Sequence, residues 1–173
     1  MRWRAKTRGW RLLALLALLS GADARAAPAA EPPRAGIAVI GAPDLELAPL
    51  DTAAVAAIFR RKLRTLPRGG RLVPVNLPAD DPLRSAFSVA VFDLEPAAMD
   101  AYWNERYFHG VSPPHVVASV EAMLRFVAAT PGAIGYVPAC AMDARVRMLM
   151  ILPLTDPAAA RCPASAPSPP AGP

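Results

Sequence analysis

Residues 131–137 read Pro-Gly-Ala-Ile-Gly-Tyr-Val, a turn followed by a short run of apolar and aromatic residues. An apolar run of this length next to a Pro-Gly turn is typical of a strand that is buried on both faces. A second run of this kind, Ile37 to Ile40, lies between two glycines near the other end of the chain. Strands that need cover on both faces predict a layered α/β domain.

The chain between these two runs alternates helical and strand patterns. Leu72 to Val75 reads as a strand in which Pro74 indicates an edge, or a position whose amide is not needed. Asp80 and Asp81 precede a helix that begins at Pro82, where the missing amide costs nothing. The remaining predicted elements are a helix capped by Asp51, an aromatic helix with Tyr102, Trp103 and Tyr107 facing the core, a helix capped by Ser119, and a strand from Val146 to Leu152.

The first 26 residues have the pattern of a secretory signal peptide. A basic stretch precedes the apolar run Leu12 to Leu19, and small residues follow that permit cleavage after residue 24 or 26. Eight apolar residues are far fewer than the ~20 that a membrane-spanning helix needs, so we expect a periplasmic or secreted protein without stable membrane insertion. Residues 27–35 are predicted to be a linker, 36–156 the folded domain, and 157–173 a disordered tail rich in Ala and Pro.

The formal net charge of +5 comes entirely from the predicted signal peptide. Residues 1–26 contain six of the 19 Lys and Arg but one of the 14 Asp and Glu, which leaves 13 of each sign in the rest. A neutral mature chain lacks the positive surface that supplies affinity for a phosphate backbone. Nucleic acid is therefore not an expected partner.

The two cysteines, Cys140 and Cys162, are 22 residues apart. An oxidising compartment permits a disulfide between them, and the loop-entropy model gives such a bond about 3 kcal/mol. The alternative is that Cys140 is a small core residue and Cys162 is an unpaired residue in the tail. Two thiols without a nearby His form an incomplete ligand set for a metal.

The sequence contains no motif that assembles a nucleophile, a base or a pair of carboxylates for catalysis. His109 lies near the expected end of the aromatic helix, where the helix dipole favours a positive charge. His115 and Glu105 share no metal-binding spacing with it. We therefore predict a protein that is not an enzyme and that holds no cofactor and no metal.

Several segments in one order resemble the phosphate-type substrate-binding proteins of ABC transporters, particularly their short single-lobe relatives. The resemblance runs from residue 37 to residue 137. The segments that define it are the strand Ile37–Ile40, Ala57-Ile58-Phe59 with the basic turn after it, Arg71 to Val75, the helix around Phe87, Tyr102-Trp103, Phe108-His109-Gly110, and Pro131 to Val137.

The resemblance implies one lobe of a type 2 periplasmic binding protein-like fold, a small mixed sheet flanked by about four helices. Full-length members close two such lobes on an oxyanion. Their motif is an Arg, three residues, and Ser-Gly-Thr at a helix start, with an aromatic residue four positions later. If Phe87 is that aromatic residue, Leu77, Asp81, Pro82 and Leu83 stand where the Arg, Ser, Gly and Thr would be. Each polar ligand is replaced.

The predicted function is therefore solute binding outside the cytoplasm through a degenerate or altered anion site. Pro82 removes a donor from the helix start and the two Asp residues add negative charge, so phosphate is a doubtful ligand, although another small anionic solute is possible. The usual location, where a strand end meets a helix start, gives the candidate ligand-binding residues Asn76, Asp80, Asp81, Arg84 and Ser85.

A second hypothesis keeps the scaffold but not the transport role. The basic turn contains Arg60, Arg61 and Arg64, and it would be the surface that binds an envelope protein partner. The protein would then be an accessory or interaction module.

Overall fold

The computed structural model describes residues 36–47, 49–154, 156–159 and 162, all of which belong to one compact unit, Glu31–Pro173. The predicted signal peptide, the linker and most of the predicted tail lie outside the described residues.

The described chain forms a five-stranded mixed sheet with the strand order β3-β2-β4-β1-β5. β1 runs antiparallel to β4 and β5, and β2 runs parallel to β3 and β4. The elements are β1 (Ile37–Gly41), α1 (Thr52–Phe59), β2 (Val73–Asn76), α2 (Pro82–Phe92), α3 (Asp100–Phe108), β3 (His115–Val116), α4 (Val120–Ala129), β4 (Ala133–Pro138) and β5 (Arg147–Leu152).

Local sequence signals set the starts of the helices. The Asp51 side chain accepts a hydrogen bond of 2.7 Å from the Ala54 amide, and the Ser119 hydroxyl accepts one from the Ala122 amide. Asp81 caps α2 in the same way. These side chains satisfy amides that have no partner within the helix, so the predicted helix starts are confirmed.

The helices cover both faces of the sheet. A Cβ at Gly135 would lie 2.4 Å from the Met123 sulfur, so α4 packs closely on the face to which residue 135 points. The ring of Tyr136 points to the other face and contacts the rings of Phe59 on α1 and Phe87 on α2. This three-layer arrangement confirms the predicted α/β fold with a small mixed sheet and about four helices.

The second strand differs from the prediction in position and surroundings. β2 is an inner strand and not an edge strand. Pro74 pairs with Ile134 of β4, whereas β3 begins to pair with β2 only at Val75. The Val73 amide donates to Gly132 on the β4 side, so the nitrogen of the next residue faces away from β4. Pro74 therefore occupies a position whose amide is not needed.

The prediction that α3 turns its aromatic side chains toward the core is confirmed for Tyr102 and Trp103 and wrong for Tyr107. Tyr107 is 68% exposed and Phe108 is 87% exposed, and α3 itself contains no buried residue. Tyr102 and Trp103 are partly buried against the core, and Met99, just before the helix, is fully covered. Because α3 lies at the margin of the domain, one apolar stripe contacts the core and the other rings face solvent.

The folded region continues past the predicted boundary at residue 156. Pro157–Ala159 form a 3-10 turn that packs on α2, and Cys162 is joined to Cys140. A turn held against a helix and a covalent bond both restrict this part of the segment, which the composition alone did not indicate.

Candidate functional site

The candidate site lies where the parallel strands end and two helices begin. β2 ends at Asn76 and β4 at Pro138, and the first residues of α2 and α4 lie beside these ends. A crevice of about 270 Å³ separates the two helix starts, and we call it the α2–α4 crevice. Its lining residues are Asp81, Pro82, Leu83, Val120, Pro138 and Ala159. Ligands of open α/β sheets bind at this end of the strands.

The start of α2 offers little to a phosphate ion. The Asp81 carboxylate already accepts a hydrogen bond of 2.8 Å from the Leu83 amide, and Pro82 has no amide hydrogen. Asp80 is exposed one residue earlier and adds a second negative charge. The donors and the dipole that make a helix start attractive to anions are therefore blocked or opposed here.

Arg84 is the one cationic side chain that the structure buries at this helix start. Only 8% of Arg84 is exposed, and its Nη1 atom has no hydrogen-bond partner among the described residues. A buried guanidinium normally has a paired acceptor, because burial of an uncompensated charge is costly. The Nη1 atom of Arg84 is therefore a buried donor that lacks an acceptor among the described residues.

Three other polar groups belong to the same region of the interior. Asn76 at the end of β2 is 5% exposed, and its Oδ1 atom lacks a partner. Ser88 is fully buried, and its hydroxyl also lacks a partner within the described chain; it lies one helical turn after Arg84 on the same side of α2. We call Asn76, Arg84, Ser88 and Tyr136 the buried polar cluster.

Tyr136 links this cluster to the sheet. Its hydroxyl accepts a hydrogen bond of 3.2 Å from the Leu77 amide, which follows Asn76 directly. Burial raises the pKa of Tyr136, although the nearby Arg84 guanidinium and the Leu77 amide favour the phenolate and oppose the rise. The phenol is thus a neutral group at physiological pH, and its hydroxyl hydrogen is free to donate.

The structure does not bring all five predicted ligand-binding residues together. Asn76 and Arg84 belong to the buried polar cluster, Asp81 is a helix cap, and Asp80 is exposed. The Ser85 hydroxyl donates to the Glu95 carboxylate and faces a separate space of about 280 Å³. Ser85 therefore points away from Arg84, because successive residues of a helix differ in direction by about 100°.

Sequence reasoning missed Ser88 and Tyr136. Ser88 is four residues after Arg84, so the two share a helix face, and this spacing was visible in the sequence. Tyr136 lies in a strand that was expected to be buried on both faces, where a phenol needs a hydrogen-bond partner. The spacing of Ser88 from Arg84 indicates a shared site only if Arg84 faces the interior.

The basic turn lies at the opposite end of β2. The Arg60 guanidinium lies over the Phe92 ring, 4.9 Å from its centroid, and the Arg61 side chain donates to the Leu72 carbonyl. Burial, then the charges of Arg71 and Arg64, lower the pKa of Arg61. The shift thus reflects the partial burial of Arg61 first, and the repulsion by the two neighbouring guanidinium groups second.

Cys140 and Cys162 are joined in a disulfide, with Cα atoms 5.8 Å apart. Among the described residues, no three His, Cys, Asp or Glu side chains are grouped so that they could hold a metal ion. No helix within the described ranges is long and apolar enough to cross a membrane.

No protein-family model and no curated protein sequence matches this chain. Among the solved structures that are similar to it are the following two. One is a putative phosphate ABC transporter substrate-binding protein with bound phosphate from Clostridium perfringens, with a TM-score of 0.55 and 18% identity over 66% of this chain and 44% of that chain. The other is an ABC-type phosphate transport receptor from Vibrio cholerae, with a TM-score of 0.52 and 15% identity over 66% of this chain and 45% of that chain.

This chain thus spans less than half the length of either neighbour. At these identities the similarity concerns the fold. The described α/β domain therefore has the fold of part of a phosphate ABC transporter substrate-binding protein, as the sequence resemblance predicted.

Proposed function

We propose that the chain is a solute-binding protein of the periplasm or another space outside the cytoplasm, with an altered anion site and no enzymatic activity. The observation that supports it most is the buried Arg84 guanidinium, whose Nη1 atom has no acceptor among the described residues. The pattern of residues 1–26 supports export, and the fold supports a solute-binding scaffold.

The proposed ligand is a small anion with a single negative charge. Arg84 supplies one positive charge, and the Ser88 and Tyr136 hydroxyls add neutral donors. Asp80 and Asp81 flank the same helix start and oppose a second negative charge on the ligand. Phosphate at neutral pH is partly a dianion, and the helix start lacks the free amides that would compensate for it.

The absence of enzymatic activity is part of this proposal. Within the described residues, the polar groups of the buried polar cluster and of the crevice lining are a guanidinium, an amide, two hydroxyls and a capping carboxylate. Burial raises the pKa of Tyr136, so its phenolate, the form that could act as a base, is not populated at neutral pH. Such a set can orient a ligand through hydrogen bonds, but it contains no nucleophile that lies next to a base.

Ligand-observed NMR with nitrate and acetate as probes tests this function. We expect saturation transfer to both probes in the wild type, with a dissociation constant of about 1 mM or tighter. Arg84→Met should abolish the transfer, whereas the matched control Arg64→Met, at an exposed Arg, should retain it. Absence of transfer in the wild type, or equal transfer in both variants, would contradict the proposal.

A second candidate function is partner binding through the basic turn. It is favoured by Arg61, whose pKa is lowered by burial and by the charges of Arg71 and Arg64. An acidic surface of an envelope protein would relieve that repulsion, and the effect would be on encounter rate and orientation. Pull-down from an envelope fraction with the wild type and with R60E/R61E/R64E tests it. A partner that both proteins retain would discredit this surface.

A further inference from the structure

The segment after β5 returns to the candidate site. Asp156 begins a short turn in which its carboxylate accepts a hydrogen bond of 2.9 Å from the Ala158 amide. The turn Pro157–Ala159 packs on α2. We call residues 156–159 together with Cys162 the strap.

Ala159 shows where the strap crosses α2. It lines the α2–α4 crevice on one side of the helix start, together with Asp81, Leu83 and Val120. It also lines the space on the other side, together with Ser85 and Glu95. A residue that borders both spaces lies over the first turn of the helix between them.

The disulfide anchors the far end of the strap beside α4. Cys140 lies in the turn Ala139–Ala141, directly after β4, and so at the same end of the sheet as the crevice. Cys162 lines a third space of about 470 Å³ with Val120 and Leu124 of α4. The strap thus packs on the start of α2 and borders a common space with the start of α4.

The strap also changes the charge at this location. Asp156 borders the same space as Ser85 and Glu95, at the start of α2. Its carboxylate is held by a hydrogen bond from its own turn and adds negative charge beside the start of α2, although it does not line the α2–α4 crevice itself. The strap therefore opposes anion entry by its position over the helix start, and Asp156 adds to the negative potential there.

We propose that the strap is an autoinhibitory cover of the solute site, held over the α2–α4 crevice by the Cys140–Cys162 disulfide. The proposal rests on the proposed function only for the identity of the site that is covered. Displacement of the strap exposes the first turn of α2, and loss of the disulfide releases its far end.

Hydrogen–deuterium exchange with a matched pair of variants tests the cover. Ala159→Arg places a long side chain where the strap meets α2, whereas Ala158→Arg places the same side chain at the exposed neighbouring position. We expect amides of residues 83–86 to exchange at least about tenfold faster in A159R than in the wild type, and to be unchanged in A158R. Equal exchange in A159R and A158R would overturn the proposal.

A second variant and an internal reference separate opening of the strap from unfolding of the domain. C140S/C162S should accelerate exchange at residues 83–86 by a larger factor than at residues 134–137 in β4, whose rate reports the loss of global stability when the disulfide is removed. If residues 83–86 and residues 134–137 accelerate equally in A159R and in C140S/C162S, the strap only stabilises the fold as a whole, and the proposal fails.

Acetate binding to A159R then distinguishes the two proposals. Faster exchange together with acetate affinity at least about tenfold above that of A158R supports both the cover and the solute site. Faster exchange without acetate binding supports the cover and contradicts the proposed function. Acetate binding that is equal in both variants, without faster exchange, contradicts the cover alone.

Discussion

The ring of Tyr136 on β4 stacks on the ring of Phe87 on α2, with centroids 3.8 Å apart and planes inclined by 3°. Neither side chain is measurably exposed. This contact fixes the rotation of α2 about its axis against the sheet, because Phe87 must face β4. Arg84, one helical turn before Phe87, is thereby turned into the interior, and Ser88, one helical turn after Arg84, is buried with it.

The Tyr136 hydroxyl should contribute measurably to stability. Tyr136→Phe removes the acceptor of the Leu77 amide and leaves a buried donor unpaired. We expect a loss of about 1–2 kcal/mol in the free energy of unfolding, measured by urea denaturation. Tyr107→Phe is the control, since that side chain is largely exposed and should change the value by less than about 0.5 kcal/mol. Equal effects in both variants would contradict this role of Tyr136.

Gly132 should tolerate no side chain. Its φ is +76°, and a Cβ would lie 2.1 Å from the Arg71 carbonyl oxygen, so Gly132→Ala has to move the backbone before β2. Gly110 has a similar φ of +72° but no atom within 4 Å of its Cβ position. Gly110→Ala should therefore cost about 1 kcal/mol for the conformation alone, and Gly132→Ala at least about 3 kcal/mol. Similar unfolding midpoints for the two variants would contradict the close approach.

The ion pairs of Glu121 should make stability depend on acidic pH. Side-chain hydrogen bonds from Arg145 and Arg125 lower the pKa of Glu121 from 4.5 to about 2. A carboxyl whose pKa is lower in the folded state stabilises the fold above pH 4.5, and this contribution is lost as the pH falls toward 2.

Urea denaturation between pH 7 and pH 2 measures this dependence. Glu121→Gln should show a shallower fall in stability over that range than the wild type. Because Glu121 is exposed, 1 M salt should weaken the difference. Parallel curves for the two proteins would contradict the assigned pKa shift.

The disulfide should stabilise the domain by restricting the unfolded chain. It closes a loop of 22 residues, for which the entropic model gives about 3 kcal/mol. C140S/C162S should therefore unfold at a lower urea concentration than the oxidised wild type. Mass spectrometry of the unreduced, alkylated protein provides the direct check, since two alkylated thiols would contradict the bond.

The helix starts and the sheet were predictable because their signals are local. Asp51, Asp81 and Ser119 each cap a helix through a hydrogen bond to an amide two or three residues away. The Gly-rich run of β4 was predictable for a related reason, since Gly132 and Gly135 lie where other chain segments approach most closely. Such close contacts restrict the residue type at a position, so they can be inferred from the sequence.

Other features depend on tertiary packing and could not be predicted from the local sequence. β3 has only two residues, His115–Val116, which is too short for any periodicity. Phe108 is exposed although its residue type predicts burial, because α3 packs mainly on the preceding turn Pro96–Met99. Arg84 was assigned to an open ligand site, yet it is buried, because the orientation of α2 follows from the contact between Phe87 and Tyr136.

Calorimetric titration of the protein with inorganic phosphate tests most directly whether the start of α2 lacks a cradle for a phosphate anion. With Asp81 on the Leu83 amide and Pro82 in the first helical position, we predict no heat of binding at micromolar phosphate. A saturable micromolar isotherm that Arg84→Met abolishes would contradict the account, because it would show that the altered cradle still captures phosphate.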